Sequence, residues 1–502
     1  MAFIDSTVVN VAVPALQSTF HASLVDVQWV IESYALLLGA LILVGGSVGD
    51  LYGRRRIFLL GVFIFAIGSA WCGIARSIHE LIYARALQGF GAAFLVPGSL
   101  AIISASFDEK NRGKAIGTWS GFTAMTMAVG PVLGGWLIEH ASWRWAFFIN
   151  LPIAAAVILI SFRFVPESRS NQARKLDLTG AILVTLGLGA LVYALTESAR
   201  FGWTDLRVIG SLTVGVCALL AFLFVEARCP NPMLPLELFH SRTFTGANAL
   251  TLFLYAALSI FFFLFPLNLI QVQGYTATAA GAAALPLILL VFFLSRWSGG
   301  LVDRYGPRLP LIIGPLIVAF GFALFAMTSI STSYWRSYLG PYLVLGFGMS
   351  VSVAPLTTVV MNSVGRDHAG IASGINNAVS RVSGLLAIAV LGVLVVHSFG
   401  NHLDRELARA QVPSEVRSAI GAQRINLAAT QVPPGTNSKQ AAEIQDAIKA
   451  SFLYAFRRIT FLCAVLALLS ALQTFFWIQP DRPSATATPL REQPRPRIAK
   501  PA

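Results

Sequence analysis

Gly45-Gly46-Ser47-Val48-Gly49-Asp50-Leu51-Tyr52-Gly53-Arg54-Arg55-Arg56 lies between two apolar runs, residues 29–44 and 57–75. Each run is close to the ~20 residues that a helix needs to cross a bilayer. The linker is too short to be a domain, so it is expected to form a tight hairpin at the membrane surface. Its glycines allow a sharp turn and close helix approach. Its arginines mark the cytoplasmic side, where short loops collect positive charge. A similar cassette returns as Gly299-Gly300-Leu301-Val302-Asp303-Arg304-Tyr305-Gly306-Pro307-Arg308. Two copies of one hairpin in one chain predict a duplicated membrane protein.

Composition agrees. Of 502 residues, 56% are hydrophobic and only 12% charged, where a soluble domain averages about 25% charged. The chain reads as a polytopic helical membrane protein. Its net charge of +13 is scattered over short loops and a tail. That is the positive-inside pattern, so no nucleic-acid partner is expected. Cys72, Cys217 and Cys463 fall in apolar runs and Cys229 near a membrane end, without disulfide or metal spacing. No cleavable leader is visible, and the first helix would act as its own signal. No metal cluster, nucleophile–base pair or phosphate loop suggests an enzyme or a cofactor.

The spans read as 3–20, 29–44, 57–75, 81–107, 115–138, 145–165, 178–196, 208–225, 244–270, 279–301, 309–328, 338–361, 371–396 and 452–478, which makes about fourteen. The first, at ~1.5 Å per residue, covers only about 27 Å; it is short or begins upstream. With a cytoplasmic N-terminus, the inside loops hold Arg54, Arg55, Arg56, Lys110, Arg112, Lys114, Arg169, Arg174, Lys175, Arg228, Arg242, Arg304, Arg308 and Arg366. The short outside loops hold few: Arg76, Arg144, Arg200, Arg207 and Arg336. Both termini are therefore expected inside the cell membrane (the inner membrane where there are two). Residues 398–450 read as a long polar outward loop with helix-like pieces at 403–410 and 440–450. Residues 480–502, rich in Pro and Arg, read as a disordered cytoplasmic tail.

A repeat supports duplication. Gly89-Phe90-Gly91 and Gly346-Phe347-Gly348 lie 257 positions apart, and the same offset relates Gly113 to Gly370, Ala115 to Ala372, Gly117 to Gly374 and Gly135 to Gly392. The expected organisation is a six-helix bundle at 1–165, an inserted helix pair with its linkers at 166–243, and a second six-helix bundle at 244–479. Two such halves facing a central path are the layout of a major facilitator transporter.

Four stretches carry a closer resemblance. They are Asp5-Ser6-Thr7-Val8-Val9-Asn10-Val11-Ala12-Val13-Pro14, the Gly46–Arg56 loop, Arg85-Ala86-Leu87-Gln88-Gly89-Phe90-Gly91-Ala92-Ala93, and Gly130-Pro131-Val132-Leu133-Gly134-Gly135. The chain resembles the fourteen-helix drug:proton antiporter branch of the major facilitator superfamily, the EmrB/QacA type. It departs from that pattern in having almost no apolar residues before Asp5. The resemblance implies a gating loop built from Gly46, Gly49, Asp50, Gly53, Arg54, Arg55, Asp303 and Arg308, with Asp50 as a latch between the halves. It implies a bend at Gly130, Pro131, Gly134 and Gly135 that keeps a proton path closed; ordinary small-residue packing is the plainer alternative.

Asp5, Glu32 and Arg85 are the ionisable residues expected within the membrane, where a charge costs at least ~2.5–3.5 kcal/mol and is usually functional or paired. The resemblance assigns Asp5 as the protonatable acid and Arg85 as its coupling partner. Counting residues along each helix instead places Glu32 and Arg85 at matching depth and predicts that they interact. Trp119, Phe122, Phe261, Phe262, Phe263, Phe265, Asn268, Gln271, Asn376 and Asn377 are candidates for a substrate wall, although aromatic stripes in membrane helices more often pack or face lipid. The expected activity is proton-driven export of small hydrophobic or cationic compounds. Export of one metabolite (an amino acid, siderophore or lipid) and a non-transporting scaffold or sensor are the alternatives, and a periplasmic adaptor on the 398–450 loop stays open.

Overall fold

In lipid a backbone can satisfy its polar groups only by helix or closed barrel, and this chain takes the first course. The computed structural model describes residues 1–107, 109–169, 176–230, 232–330, 333–364 and 369–479, and among them there is no strand. The basic residues Arg174, Lys175 and Arg366 and the 480–502 tail lie outside the described residues.

The first half comprises α1 (Ala2–Phe20), α2 (Leu24–Tyr52), α3 (Arg54–Ile74), α4 (Ile78–Ser106), α5 (Glu109–His140), the single turn α6 (Trp145–Phe148) and α7 (Asn150–Phe164). Next come α8 (Leu178–Phe201) and α9 (Leu206–Glu226), which pack on one another. The second half holds α10 (Arg242–Leu267), α11 (Ala277–Ala282), α12 (Leu285–Gly299), α13 (Leu301–Tyr305), α14 (Arg308–Ala326), α15 (Tyr334–Ser337), α16 (Leu339–Asn362), α17 (Ala369–Arg409), α18 (Ser414–Gly421) and α19 (Ser438–Trp477). α10 ends in a π-helical turn, Asn268–Val272.

Among the described residues, twelve helices are long and apolar enough to cross a membrane, not the fourteen expected. The spans expected at 3–20 and 115–138 fall on α1 and α5, which are not among the twelve. In α1, Asp5, Ser6, Thr7, Asn10 and Gln17 dilute the apolar character. The helix is nevertheless embedded, with Val8, Ala12, Val13 and Leu16 buried.

The hairpin is tighter than expected. α2 continues through Gly45–Tyr52, and the turn is the single residue Gly53 at φ 115. Only glycine adopts that conformation freely. Gly45 provides the close approach: a Cβ there would overlap the Ala93 carbonyl of α4.

The sequence repeat has a physical counterpart. A Cβ on Gly91 of α4 would lie 2.9 Å from the Gly61 carbonyl oxygen of α3, and one on Gly348 of α16 would lie 2.9 Å from the Gly314 carbonyl oxygen of α14. Both halves thus use the same small-residue contact to bring two helices to backbone distance.

Within 398–450 the helix-like pieces expected at 403–410 and 440–450 fall on the ends of two spans, α17 and α19, and residues 410–437 link them through α18 and a short helical turn. α17 has 41 residues and α19 has 40, or about 60 Å each at ~1.5 Å per residue, twice the ~30 Å hydrocarbon thickness. Leu403, Leu407, Val412, Ile420, Leu427 and Ile444 join the core of the second half. A helical turn at Arg424–Ala429 reaches α1 and α2. This cap defines one face of the molecule, and the Gly53 hairpin marks the opposite one.

Candidate functional site

The site is a buried polar network inside the first half. Asp5 enters on the first turn of α1 and is fully buried, and Arg85 of α4 is 1% exposed. The Arg85 Nη1 donates to Asp5 Oδ2 at 2.5 Å and to Gln88 Oε1 at 2.6 Å, and its Nε donates to the Val30 carbonyl of α2 at 3.1 Å. The other Asp5 oxygen accepts from Gln88 Nε2 at 2.8 Å and from Asn150 Nδ2 of α7 at 3.1 Å. Ser69 of α3 accepts from both amides and donates to the Phe147 carbonyl. The Tyr34 ring of α2 lies under the guanidinium, 4.2 Å from centre to centre.

This arrangement meets the two demands of charge in a dry place, a counter-ion and hydrogen bonds to both carboxylate oxygens; the Asn150 Oδ1 is left without a partner among the described residues. It also ties α1, α2, α3, α4 and α7 to one carboxylate. A displacement of α1 against α4, or a proton on Asp5, would therefore disturb bonds to several helices at once.

Glu32 does not join Arg85. It turns to the far side of α2, where Thr196 Oγ1 of α8 donates to its Oε2 at 3.0 Å. Its Oε1 is buried without a partner among the described residues. Asp26, Trp29 and Glu32 share this face: Arg200 pairs with Asp26 at 2.8 Å, and Trp29 Nε1 donates to Glu197 at 2.9 Å. The expected Glu32–Arg85 contact failed because residue counting locates Cα atoms from helix ends assumed level. The Arg85 side chain instead reaches along its helix to an acid at the start of α1.

The loop expected to act as a gate is bonded within its own half. Asp50 pairs with Arg54 one turn on, at 2.8 Å, rather than across to the second half. Glu167 accepts the backbone N–H of Arg55 and of Arg56, so the loop is held by a carboxylate that the sequence did not single out. Arg308 donates to the Phe475 carbonyl and stacks on its ring, while Asp303 stands exposed. Gly46 and Gly49 have room around them.

The glycine run of α5 works as a seam. A Cβ on Gly130 would strike Thr7 of α1, and one on Gly134 would meet Val8 at 2.6 Å. On the other edge, a Cβ on Gly135 would overlap the Ala277 carbonyl, and one on Gly281 of α11 would overlap the carbonyl of Pro131. One helix is thus packed to backbone distance against both halves. Three hydrogen bonds that join the halves lie toward the cap face: Gln28 to the Ile388 carbonyl, Gln271 to Gln17, and Thr278 to Glu139.

The substrate-wall candidates scatter. Phe262 packs on Phe261, whose ring belongs to an aromatic core with Phe322, Phe325 and Phe456. Asn376 donates to Asn248 and Thr251 of α10. The amide of Asn268 is buried with no partner among the described residues. Phe122 is 65% exposed. Trp119 meets Phe3 of α1 edge-on at 6.5 Å.

The family described as Major Facilitator Superfamily matches residues 1–388. The chain is 36% identical over 426 residues to the multidrug resistance protein Stp of Mycobacterium tuberculosis (strain CDC 1551 / Oshkosh), covering 85% of this chain and 79% of that protein. It is 30% identical over 486 residues to the tetracenomycin C resistance and export protein of Streptomyces glaucescens, covering 95% and 89%. A crystal structure of a bacterial homologue of the human lysosomal transporter Spinster, inward-facing and unoccupied, shares the fold with TM-score 0.60 at 18% identity, covering 96% of each chain.

Proposed function

The chain belongs to the Major Facilitator Superfamily, a family of transporters and not of enzymes, and we propose that it exports small toxic compounds in exchange for protons. The multidrug and antibiotic resistance relatives support export of drug-like cargo. The observation that carries proton coupling is the Asp5–Arg85–Gln88–Asn150 network. In the present arrangement three donors hold the Asp5 carboxylate. When the halves rock and the network opens, the carboxylate takes a proton; when it closes, the proton leaves. Export follows if cargo and proton favour different arrangements of the halves.

On this reading α1 and α5 complete a fourteen-helix membrane domain of the EmrB/QacA type, with the Gly53 hairpin cytoplasmic and the cap face outward. The bonds between the halves near the cap then describe a carrier closed to the outside. Glu32 is a second acid in the coupling path, at the contact with the inserted pair α8–α9. Asp50 serves as a latch only in the other state, when its bond to Arg54 is given up.

The test is proton flux in inside-out vesicles containing the full chain. Adding a drug that the vesicles take up, with ethidium and pyrenebutyrate as the first two probes, should release protons from the lumen, and an uncoupler should abolish drug uptake. Drug accumulation that persists at full rate after the pH gradient and voltage have both been collapsed would refute proton coupling.

A further inference from the structure

Arg381 is a charged residue that the sequence reading passed over. It lies ten residues into the apolar run 371–396, about 15 Å along a helix at ~1.5 Å per residue, which is the middle of a ~30 Å hydrocarbon layer. From there its side chain cannot snorkel to either surface. It sits on the face of α17 turned to α2, where a Cβ on Gly39 would come within 3.3 Å of the Arg381 Cβ. The two halves therefore meet at this residue.

Its surroundings differ from those of Arg85. Among the described residues, no hydrogen bond or ion pair engages the Arg381 guanidinium, which is only partly buried and lies 5.8 Å from the Phe3 ring. Asp5 is already held by Arg85, Gln88 and Asn150. Glu32 faces α8 on another side of α2. The nearby groups on which its charge acts are phenols, Tyr34 of α2 and Tyr255 of α10. Phe3 in turn leans on Trp119, so the cation stands at the end of an aromatic wall between the halves. A midplane charge with no counter-ion is costly and calls for a functional partner. A site between the halves at that depth is where major facilitator cargo binds.

We propose that Arg381 recognises an acidic group of the cargo, so that the chain exports aromatic organic acids whose carboxylate pairs with the guanidinium and whose rings lie along Phe3 and Trp119. This rests on the export reading and narrows it, since hydrophobic cations would gain nothing from this site.

The experiment uses the full chain in energised inside-out vesicles and three probes: pyrenebutyrate, the neutral pyrenebutanol, and ethidium. The wild-type protein should take up pyrenebutyrate at a half-saturating concentration at least about tenfold below that for pyrenebutanol, the range of one charge-assisted hydrogen bond. Arg381→Gln should raise the pyrenebutyrate value about 10- to 100-fold and shift pyrenebutanol less than threefold, and Arg381→Lys should restore much of the difference. The comparison of acid with alcohol on the wild-type protein needs no variant, so a poorly folded Arg381→Gln does not blunt the test. Uptake of ethidium without preference for the acid, or an equal loss of all three probes in Arg381→Gln, would overturn the assignment while leaving export intact. Transport of none of the probes would overturn the export reading and this inference with it.

Discussion

Asp5→Asn tests the network most directly. The substitution keeps the shape of the side chain but removes the charge opposite Arg85, which is 1% exposed. It also puts an amide N–H where Asp5 now accepts. If the new carbonyl keeps the Arg85 bond, the new N–H faces Gln88 Nε2 and Asn150 Nδ2, both donors. If the amide turns over, Arg85 loses its partner. Breaking a buried ion pair from one side costs about 3–5 kcal/mol. Single polar contacts between membrane helices average only about 0.6 kcal/mol, because the unfolded chain finds other partners. An unpaired guanidinium with few alternatives puts this case near the lower end of the first range, about 3 kcal/mol. The assay is a double-mutant cycle of Asp5→Asn, Arg85→Gln and their combination, read by reversible unfolding in detergent and by drug-driven proton release from vesicles. The double variant should recover at least about 1.5 kcal/mol relative to the sum of the singles, and proton release should stay at background in Asp5→Asn. If Asp5→Asn matches the wild type in both measurements, or if the two singles simply add, the pair carries neither the stability nor the coupling ascribed to it.

Four further outcomes follow from the geometry. Gly53→Ala forces an alanine into φ 115 against Glu167 and should destabilise the chain by about 1–3 kcal/mol, measured by loss of monodisperse protein on heating. Glu32→Gln keeps an acceptor for Thr196, so unfolding should move by less than about 1 kcal/mol while the pH dependence of drug-driven proton release flattens; an unchanged profile removes Glu32 from the coupling path. Gly281→Leu places a side chain where the Pro131 carbonyl now lies, and should hold the halves apart at the cap face, read as faster labelling of a cysteine introduced at Thr278. Glu167→Gln weakens the grip on the N–H groups of Arg55 and Arg56, and hydrogen exchange at those amides should quicken about tenfold, equivalent to ~1.4 kcal/mol.

Most of the fold was legible because the bilayer restricts the choices. Long apolar runs become helices, and the Gly89–Gly91 and Gly346–Gly348 register marks contacts that recur in both halves. Asp5 and Arg85 were legible as unusual charges. The family resemblance named them as partners, as the structure has them, whereas residue counting did not, since position along a helix does not give the reach of a guanidinium or the relative height of two helices. Gln88, Asn150 and Ser69 were missed because neutral polar residues cost little enough to be common in membrane helices. The available hints were weak: Gln88 shares a helix face with Arg85, and Asn150 is a lone amide opening an apolar helix. On α2, the spacing of Asp26, Trp29 and Glu32 could have shown that Glu32 faces away from Arg85. Arg381 escaped notice inside a run read only for its length.

The cap has a consequence for how the molecule moves. Because α17 and α19 pass from the membrane into it without a break, it cannot swing as a hinged flap. It is rigidly attached to the second half, like a brim on a hat, while its Arg424–Ala429 turn rests on α1 and α2 of the first. On the proposed alternating-access reading, any tilt that parts the halves on this side lifts the brim clear of those two helices, and a molecule that grips the brim would stop the stroke without ever entering the path.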